Sequence, residues 1–223
     1  TVGNLNDAQI RTAEGATITQ SADHTIHGTG QILASMLNEG LICADDPVYA
    51  LELTDQAKTN RGELRAEAGG RMWICSTEIT QEGDGSIVAD NAIVELGFAT
   101  ITGGRFSSAN GGVVRCHSGS SEITGVINQG TLQISGSNTV TVHGASFANE
   151  GLIELNHAAQ TTNARLLFAD TTVMTGAGEI LLNTSSTDVD DAAITEASGA
   201  VATLGPDQFI HGDGVFRGKI INR

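Results

Sequence analysis

One pentapeptide, Asn-Glu-Gly-Leu-Ile, occurs twice in this 223-residue chain, at 38–42 and at 149–153. Relatives of this sequence share the template Asn-x-Gly-x-[Ile/Leu/Val]-x-[small or apolar], and they begin at Asn60, Asn110 and Asn128. A related form, Gly-x-Gly followed by apolar residues, begins at Gly28, Gly83, Gly176 and Gly212. These short sequences recur at intervals of about 20–27 residues, which indicates an internal structural repeat. The two exact copies are separated by close to a whole number of such intervals.

Each copy predicts a corner followed by a short strand. Asn and Gly adopt positive φ at little steric cost, so Asn-x-Gly is typical of a tight turn. After each turn, apolar and polar residues alternate, and a period of two places the apolar ones on one face of a strand. The predicted inward pairs are Ile42 and Ala44, Leu64 and Ala66, Val114 and Cys116, Leu132 and Ile134, and Ile153 and Leu155. The predicted outward neighbours are Cys43, Arg65, Arg115, Gln133 and Glu154.

The repeat and the composition together predict the fold. The chain holds 28 Gly, 2 Pro and only 4% aromatic residues, and no window of eleven or more residues has amphipathic helical spacing. A sandwich or barrel does not require a turn repeated at fixed intervals, whereas each coil of a solenoid sits on its predecessor. We therefore expect an all-β, right-handed, single-stranded parallel β-helix (β-solenoid) with almost no helix. It would form a single domain over 1–223, with nine or ten coils of about 20–27 residues and an irregular coil or long loop at 183–208.

The segment from Asn60 to Cys75, NRGELRAEAGGRMWIC, resembles repeats of large bacterial surface proteins. These are the filamentous-haemagglutinin-like and autotransporter-passenger β-helices, and the resemblance extends over about 25–182. It implies a structural or adhesive segment of a secreted or cell-surface protein, which presents a surface to proteins or glycans. The chain would then be a piece of a longer protein, in keeping with its lack of an initiator Met.

Charge and hydropathy restrict the partners. The formal net charge is −15, with two lysines against 26 carboxylates, so phosphate-mediated nucleic-acid binding is not expected. No run of eighteen apolar residues is present, so no membrane insertion of this segment is predicted. A strongly acidic surface fits an extracellular setting. Neither the ligand nor the oligomeric state follows from the sequence.

The strongest candidate for chemistry is an acidic stretch with Asp188, Asp190 and Asp191. Polysaccharide hydrolases of the pectin-lyase-like β-helix class use paired carboxylates, with a His and a basic residue nearby, and His211 and Arg217 follow in that order. The alternative function is therefore a polysaccharide-degrading enzyme, pectin-lyase-like or phage tailspike-like, with Asp190, Asp191 and His211 as catalytic candidates. Asn183 precedes Asp190 by much less than one coil, which favours a solvated acidic loop. The same three aspartates form a candidate calcium site, because calcium prefers clustered carboxylate and carbonyl oxygens.

The remaining reactive residue types show no motif. Cys43, Cys75 and Cys116 lack metal-binding or redox spacing and are interpreted as small, semi-buried residues with at most one disulfide. The six histidines are scattered at predicted strand ends. Trp73 lies between the predicted inward residues Met72 and Ile74, so it is predicted to point outward, under a loop or toward a ligand. Apart from possible calcium, no cofactor is predicted.

Overall fold

The computed structural model describes residues 8–185 and 188–223, and these residues form a parallel β-solenoid of ten coils. Each coil contributes one strand to each of three ten-stranded sheets, here called A, B and C. Every strand pairs in parallel with the equivalent strand of the neighbouring coil, as in β1, Gln9–Ile10, with β4, Gly30–Ile32. The all-β parallel solenoid predicted from the repeat is confirmed, as is the number of coils.

Sheet A contains β1, Gln9–Ile10; β4, Gly30–Ile32; β7, Leu51–Thr54; β10, Arg71–Cys75; β13, Ile93–Gly97; β16, Val113–Cys116; β19, Thr131–Ile134; β22, Leu152–Leu155; β25, Glu179–Leu182; and β28, Phe209–Gly212. Sheet B contains β2, Thr17–Gln20; β5, Ser35–Asn38; β8, Lys58–Asn60; β11, Glu78–Gln81; β14, Thr100–Thr102; β17, Ser121–Thr124; β20, Thr139–His143; β23, Ala164–Phe168; β26, Ala192–Glu196; and β29, Val215–Arg217. Sheet C contains β3, Thr25–His27; β6, Leu41–Ala44; β9, Glu63–Glu67; β12, Ser86–Asp90; β15, Arg105–Ala109; β18, Ile127–Asn128; β21, Ser146–Asn149; β24, Thr172–Thr175; β27, Ala202–Leu204; and β30, Ile220–Asn222. A short 3-10 helix, Val189–Asp191, precedes β26.

The core consists of stacks of inward side chains, one per coil. In sheet A one such stack consists of Leu53, Ile74, Leu96, Cys116, Ile134, Leu155 and Leu182, each paired in register with the next. All seven are at most 3% exposed. All ten predicted inward residues after the turns are likewise buried. Burying a Leu or Ile side chain contributes about 1.5–3 kcal/mol, so these stacks are the main stabilising element of the fold.

Two details differ from the sequence prediction. Cys43, predicted to face outward, is only 3% exposed, and the charges of Asp45, Arg65 and Glu67 act on its thiol. The small side chain is buried because larger neighbours on the same outer face surround it. Coil lengths also vary more than predicted, since the step from Thr172 to its partner Ala202 is nearly twice the step from Thr25 to its partner Leu41. Strand pairing fixes only the strands, and the corners between them differ in length.

The two copies of the pentapeptide occupy different corners of the solenoid. The copy at 38–42 connects β5 of sheet B to β6 of sheet C, whereas the copy at 149–153 connects β21 of sheet C to β22 of sheet A. The same pentapeptide therefore forms two different corners of the coil, and the interval between the copies is not a whole number of coils.

The reason for Asn and Gly at these corners is not positive φ. Asn38 and Asn149 are buried, and their side chains hydrogen-bond across coils: Asn38 Nδ2 donates to Asn60 Oδ1 at 2.7 Å, and Asn128 Nδ2 donates to Asn149 Oδ1 at 2.8 Å. The glycine is required by close stacking, since a Cβ on Gly62 would lie 2.1 Å from the Gly40 carbonyl oxygen. The corner therefore depends on the preceding coil as much as on its own sequence.

Candidate functional site

The acidic stretch predicted as a candidate site lies at the corner between sheets A and B, where residues 183–191 connect β25 to β26. Ser186 and Thr187 lie outside the described residues. Residues 192–196 and 202–204 are regular strands, so only part of the 183–208 segment is irregular. The long step between the paired residues Thr172 and Ala202 includes this corner.

The three aspartates have three different sets of partners. Asp191 is 2% exposed, and its Oδ2 accepts hydrogen bonds from the Ser185 hydroxyl and from the Ser185 backbone N–H at 3.3 Å. Asp190 forms an ion pair with Arg217, and the Asp188 carboxylate accepts from the Asp190 backbone N–H at 2.9 Å. These contacts fold the loop and hold it against β29, with each carboxylate committed to its own neighbour.

His211 lies on a different sheet from this loop. It belongs to β28 of sheet A, where its Nε2 lies 2.5 Å from Glu179 Oε1 and its ring stacks on Phe209 with centroids 4.8 Å apart. Arg217 belongs to β29 of sheet B. Arg217 therefore forms an ion pair with Asp190, whereas His211 contacts Glu179.

Residues 8–185 and 188–223 contain no group of three or more His, Cys, Asp or Glu side chains arranged to hold a metal ion. The calcium site at Asp188, Asp190 and Asp191 stays a prediction.

A more extensive polar feature runs along the outer face of sheet A. One outward position of each strand pairs in register with the same position in the next coil. We call this set the polar row; it consists of Gln9, Gln31, Glu52, Trp73, Glu95, Arg115, Gln133, Glu154, Leu181 and His211. Eight of the ten positions carry an amide, a carboxylate, a guanidinium or an imidazole. Glu52 and Glu95 are only 8% and 5% exposed, so six of these positions present accessible hydrogen-bonding groups.

Hydrogen bonds between coils order the side chains of the polar row. Gln31 Nε2 donates to Glu52 Oε2 at 2.6 Å. Farther along, Arg115 Nε donates to Gln133 Oε1 at 3.0 Å, and Gln133 Nε2 donates to Glu154 Oε2 at 2.9 Å. Glu154 also accepts from Asn183 Nδ2 at 3.2 Å, which brings Asn183 to this face. These side chains hold one another in place, so a partner would meet a preorganised surface.

Further side chains flank the polar row. Arg71, two residues before Trp73 on β10, donates from Nε to Glu95 Oε2 at 2.7 Å. Burial and, secondarily, the positive charge of Arg115 lower the pKa of His157, in the loop after β22. His157 is therefore neutral at pH 7, and its buried Nδ1 has no hydrogen-bond partner among the described residues. Trp73 is half-buried on this outer face, in keeping with its predicted orientation.

The three cysteines all lie in the described part of the chain and are free thiols. Burial raises the pKa of Cys43 to about 12 and that of Cys116 to about 11. Both thiols are therefore protonated at neutral pH and unreactive, because the thiolate is the nucleophilic form.

Sequence reasoning did not assemble the polar row. It placed Arg115, Gln133 and Glu154 on outer faces individually, but these three residues lie on three successive coils and are separated by unequal steps along the chain. Only the strand register brings them side by side. The sequence did contain a signal for their outward position, because each of these residues directly follows a buried residue of the same strand.

Comparisons of the chain with family models, with curated proteins and with solved structures found no match. Residues 8–185 and 188–223 include no helix of the length and hydropathy needed to cross a membrane.

Proposed function

We propose that this chain is a rigid β-solenoid segment of a secreted or cell-surface bacterial protein, with a structural or adhesive role in which its outer faces contact proteins or glycans. Three ten-stranded sheets form uninterrupted backbone ladders, which support a stiff rod. The formal charge of −15 supports an extracellular setting and argues against a nucleic-acid partner.

The observation that carries this proposal is the polar row on sheet A. Amides, carboxylates and guanidinium groups between them donate and accept hydrogen bonds, and they are the groups that bind hydroxyls and peptide units of a partner. Neighbouring strands lie about 4.8 Å apart, so the row offers such groups along a line roughly 40 Å long. That geometry suits an extended partner lying along the rod.

The experiment is a binding screen of the purified chain against immobilised surface glycans and extracellular proteins. Two matched variants are compared. Gln133→Ala removes a side chain from the polar row, whereas Gln129→Ala removes one at the corner between β18 and β19, where it hydrogen-bonds Glu150. For a retained partner we expect Gln133→Ala to weaken binding about fivefold and Gln129→Ala to leave it unchanged. A chain that retains no partner from either panel would contradict the adhesive role.

One observation favours the enzyme as a second candidate. Glu154 pairs with Leu181, two residues along β25 from Glu179, so the Cα atoms of the two glutamates are roughly 8 Å apart by strand geometry. Inverting glycosidases use carboxyl groups about 6.5–9.5 Å apart, and two glutamates with this Cα spacing have side chains long enough to reach that separation. His211 also contacts Glu179 here. The candidate catalytic pair is therefore Glu154 with Glu179.

The enzyme candidate is tested by measuring release of reducing ends from a polysaccharide panel, with and without calcium. Glu179→Gln should abolish any release, whereas Glu150→Gln, at the corner between β21 and β22, should leave it intact. Release that persists in Glu179→Gln would show that these carboxylates are not the catalytic groups.

A further inference from the structure

A second surface feature lies at the corner that joins sheet A to sheet B. Two adjoining depressions of about 340 and 430 Å³ share Asp55 and Gln56 in their linings, and they extend from Arg11 in the first coil to Phe98 in the fifth. We call this feature the corner cleft. It lies beside the polar row but contains none of its residues.

Phe98 is an unusual residue at one end of the corner cleft. Its side chain is 64% exposed, and its backbone has φ of 53°, in the left-handed region that bulky residues rarely occupy. Holding such a residue there costs about 1 kcal/mol or more. Neither burial nor regular backbone geometry accounts for an aromatic side chain at this position.

The ring of Phe98 is supported from the following coil. A Cβ on Gly119 would lie within 2.3 Å of the ring, so the ring lies directly over this glycine. The ring also lines the corner cleft together with Ser76, Glu78 and Thr100. Phe98 therefore forms an exposed aromatic wall that lies against Gly119, with hydrogen-bonding side chains close by.

The polar wall of the cleft arises from a repeated backbone conformation. Asp55 and Ser76 have φ of 66° and 49°, and like Phe98 they directly follow a strand of sheet A. Three successive coils thus turn the same corner with a left-handed residue that carries a side chain. Because coils are about 4.8 Å apart, these three positions span about 10 Å.

The chemistry of the cleft selects one ligand class. An aromatic face packs against the C–H face of a sugar ring, while Asp55, Gln56 and Glu78 are exposed hydrogen-bonding groups suited to sugar hydroxyls. The two carboxylates and the overall charge of −15 repel anionic glycans. Cavities of about 300–1,000 Å³ are typical of small-ligand sites, and the two depressions fall within that range.

We propose that the corner cleft binds a short segment of a neutral glycan, with one sugar ring on Phe98 and hydroxyls of the segment on Asp55, Gln56 and Glu78. This inference rests on the proposed function, because it names the ligand class and the place of one contact surface. It differs from that proposal in locating the contact at the corner instead of on the polar row.

The experiment measures binding of neutral oligosaccharides to the full chain by titration calorimetry and by NMR shift perturbation. Phe98→Ala should weaken binding tenfold or more, and Phe98→Tyr should retain it, because the ring face is preserved. Phe216→Ala removes another exposed aromatic ring, 45% exposed and outside both the cleft and the polar row, and should leave binding unchanged. Circular dichroism of each variant shows whether the strand content is intact.

The outcomes separate this inference from the proposed function. A glycan whose binding is lost in Gln133→Ala but kept in Phe98→Ala overturns the corner cleft and supports the polar row. If no neutral glycan binds the unaltered chain, the inference is overturned, and the adhesive role then depends on the charged glycans and the proteins of the screen. If Phe98→Tyr loses binding as completely as Phe98→Ala, the stacking role of the ring is wrong.

Discussion

Lys58 is a charged residue inside the core stack of sheet B. It pairs with Met36 and Ile79, both at most 2% exposed, and is itself only 5% exposed. Its amine donates to the backbone carbonyls of Thr54 at 2.7 Å and Gln56 at 2.5 Å. Burial lowers the pKa of Lys58 to about 8, and the charge of Asp55 offsets a smaller part of that effect.

We predict that replacement of Lys58 by Met changes the pH dependence of stability. Below pH 8 the amine is charged in both states, and its burial costs free energy. Between about pH 8 and pH 10.5 the folded state has released the proton and the unfolded state still holds it, so unfolding becomes less favourable as pH rises. Across that window the wild type should gain up to about 3 kcal/mol relative to Lys58→Met.

Urea denaturation of both proteins at pH 7 and pH 10 measures this difference. Cys43 and Cys116 also lose protons in this range when the chain is unfolded, because only folding raises their pKa values, but both thiols are present in both proteins and their contributions cancel. Unfolding free energies that stay parallel at the two pH values would contradict the prediction.

Asn38 provides a second test at the scale of one residue. Its Nδ2 donates to Asn60 Oδ1 and to the Glu63 carbonyl, and its Oδ1 accepts from the Gly40 N–H at 3.1 Å. Asn38→Ala leaves these buried groups without a partner, so it should destabilise the protein by about 2–3 kcal/mol.

The control for this variant is the adjacent Glu39. Its carboxylate makes an exposed ion pair with Arg61 at 3.5 Å, and Arg61 also meets Glu82 in the next coil. Glu39→Ala should cost less than about 1 kcal/mol, because exposed pairs contribute little. Equal losses in thermal unfolding for the two variants would refute the assignment of the corner amide as the stabilising group.

At the scale of the element, the corners limit what can be substituted. A Cβ at Gly62 would lie 2.1 Å from the Gly40 carbonyl oxygen, and backbone atoms cannot yield as a side chain can. Gly62→Ala should therefore destabilise by about 1–3 kcal/mol through a shift of the stacked corner. The unfolding midpoint in urea measures this cost.

The matched control is Gly83→Asn at the same type of corner one coil later. Gly83 has φ of 57° and open space around its Cβ direction, and Asn tolerates the left-handed region. We expect a change within about 0.5 kcal/mol. A similar loss for both variants would show that glycine is needed for its backbone freedom and not for the close approach.

The elements themselves were predictable to different degrees. The inward positions followed from local alternation, because a strand with one buried face must place apolar residues two apart, as in Leu132 and Ile134. The burial of Cys43 did not follow, since it depends on Arg65 and Glu67 one coil away. The polar row was missed for the same reason, because the corner lengths that set the register vary from coil to coil.

At the scale of the whole molecule, acidic side chains outnumber basic ones. Asp and Glu number 26 against 11 Lys and Arg, and several arginines already form ion pairs across coils, such as Arg65 with Asp90. The excess of carboxylates repels itself most in the compact state. We predict that raising NaCl from about 20 to 500 mM increases the melting temperature, by roughly 3 °C for each kcal/mol of repulsion relieved.

Calcium chloride at matched ionic strength serves as the control for this prediction. Screening alone gives the same melting temperature in both salts. A larger increase in melting temperature with millimolar calcium would indicate a bound ion and support the predicted site at Asp188, Asp190 and Asp191. A melting temperature that falls with NaCl would show that the ion pairs outweigh the repulsion.

The sequence by itself determined that this chain forms short strands with a corner repeated at each turn, and which residues of each strand enter the core. Those features depend on neighbours within a few positions along the chain. The tertiary structure alone decided which corner each copy of the pentapeptide occupies, how Asn38 meets Asn60, and which side chains line the polar row and the corner cleft. Contacts of this kind join residues about one coil apart, and corners of unequal length set that distance.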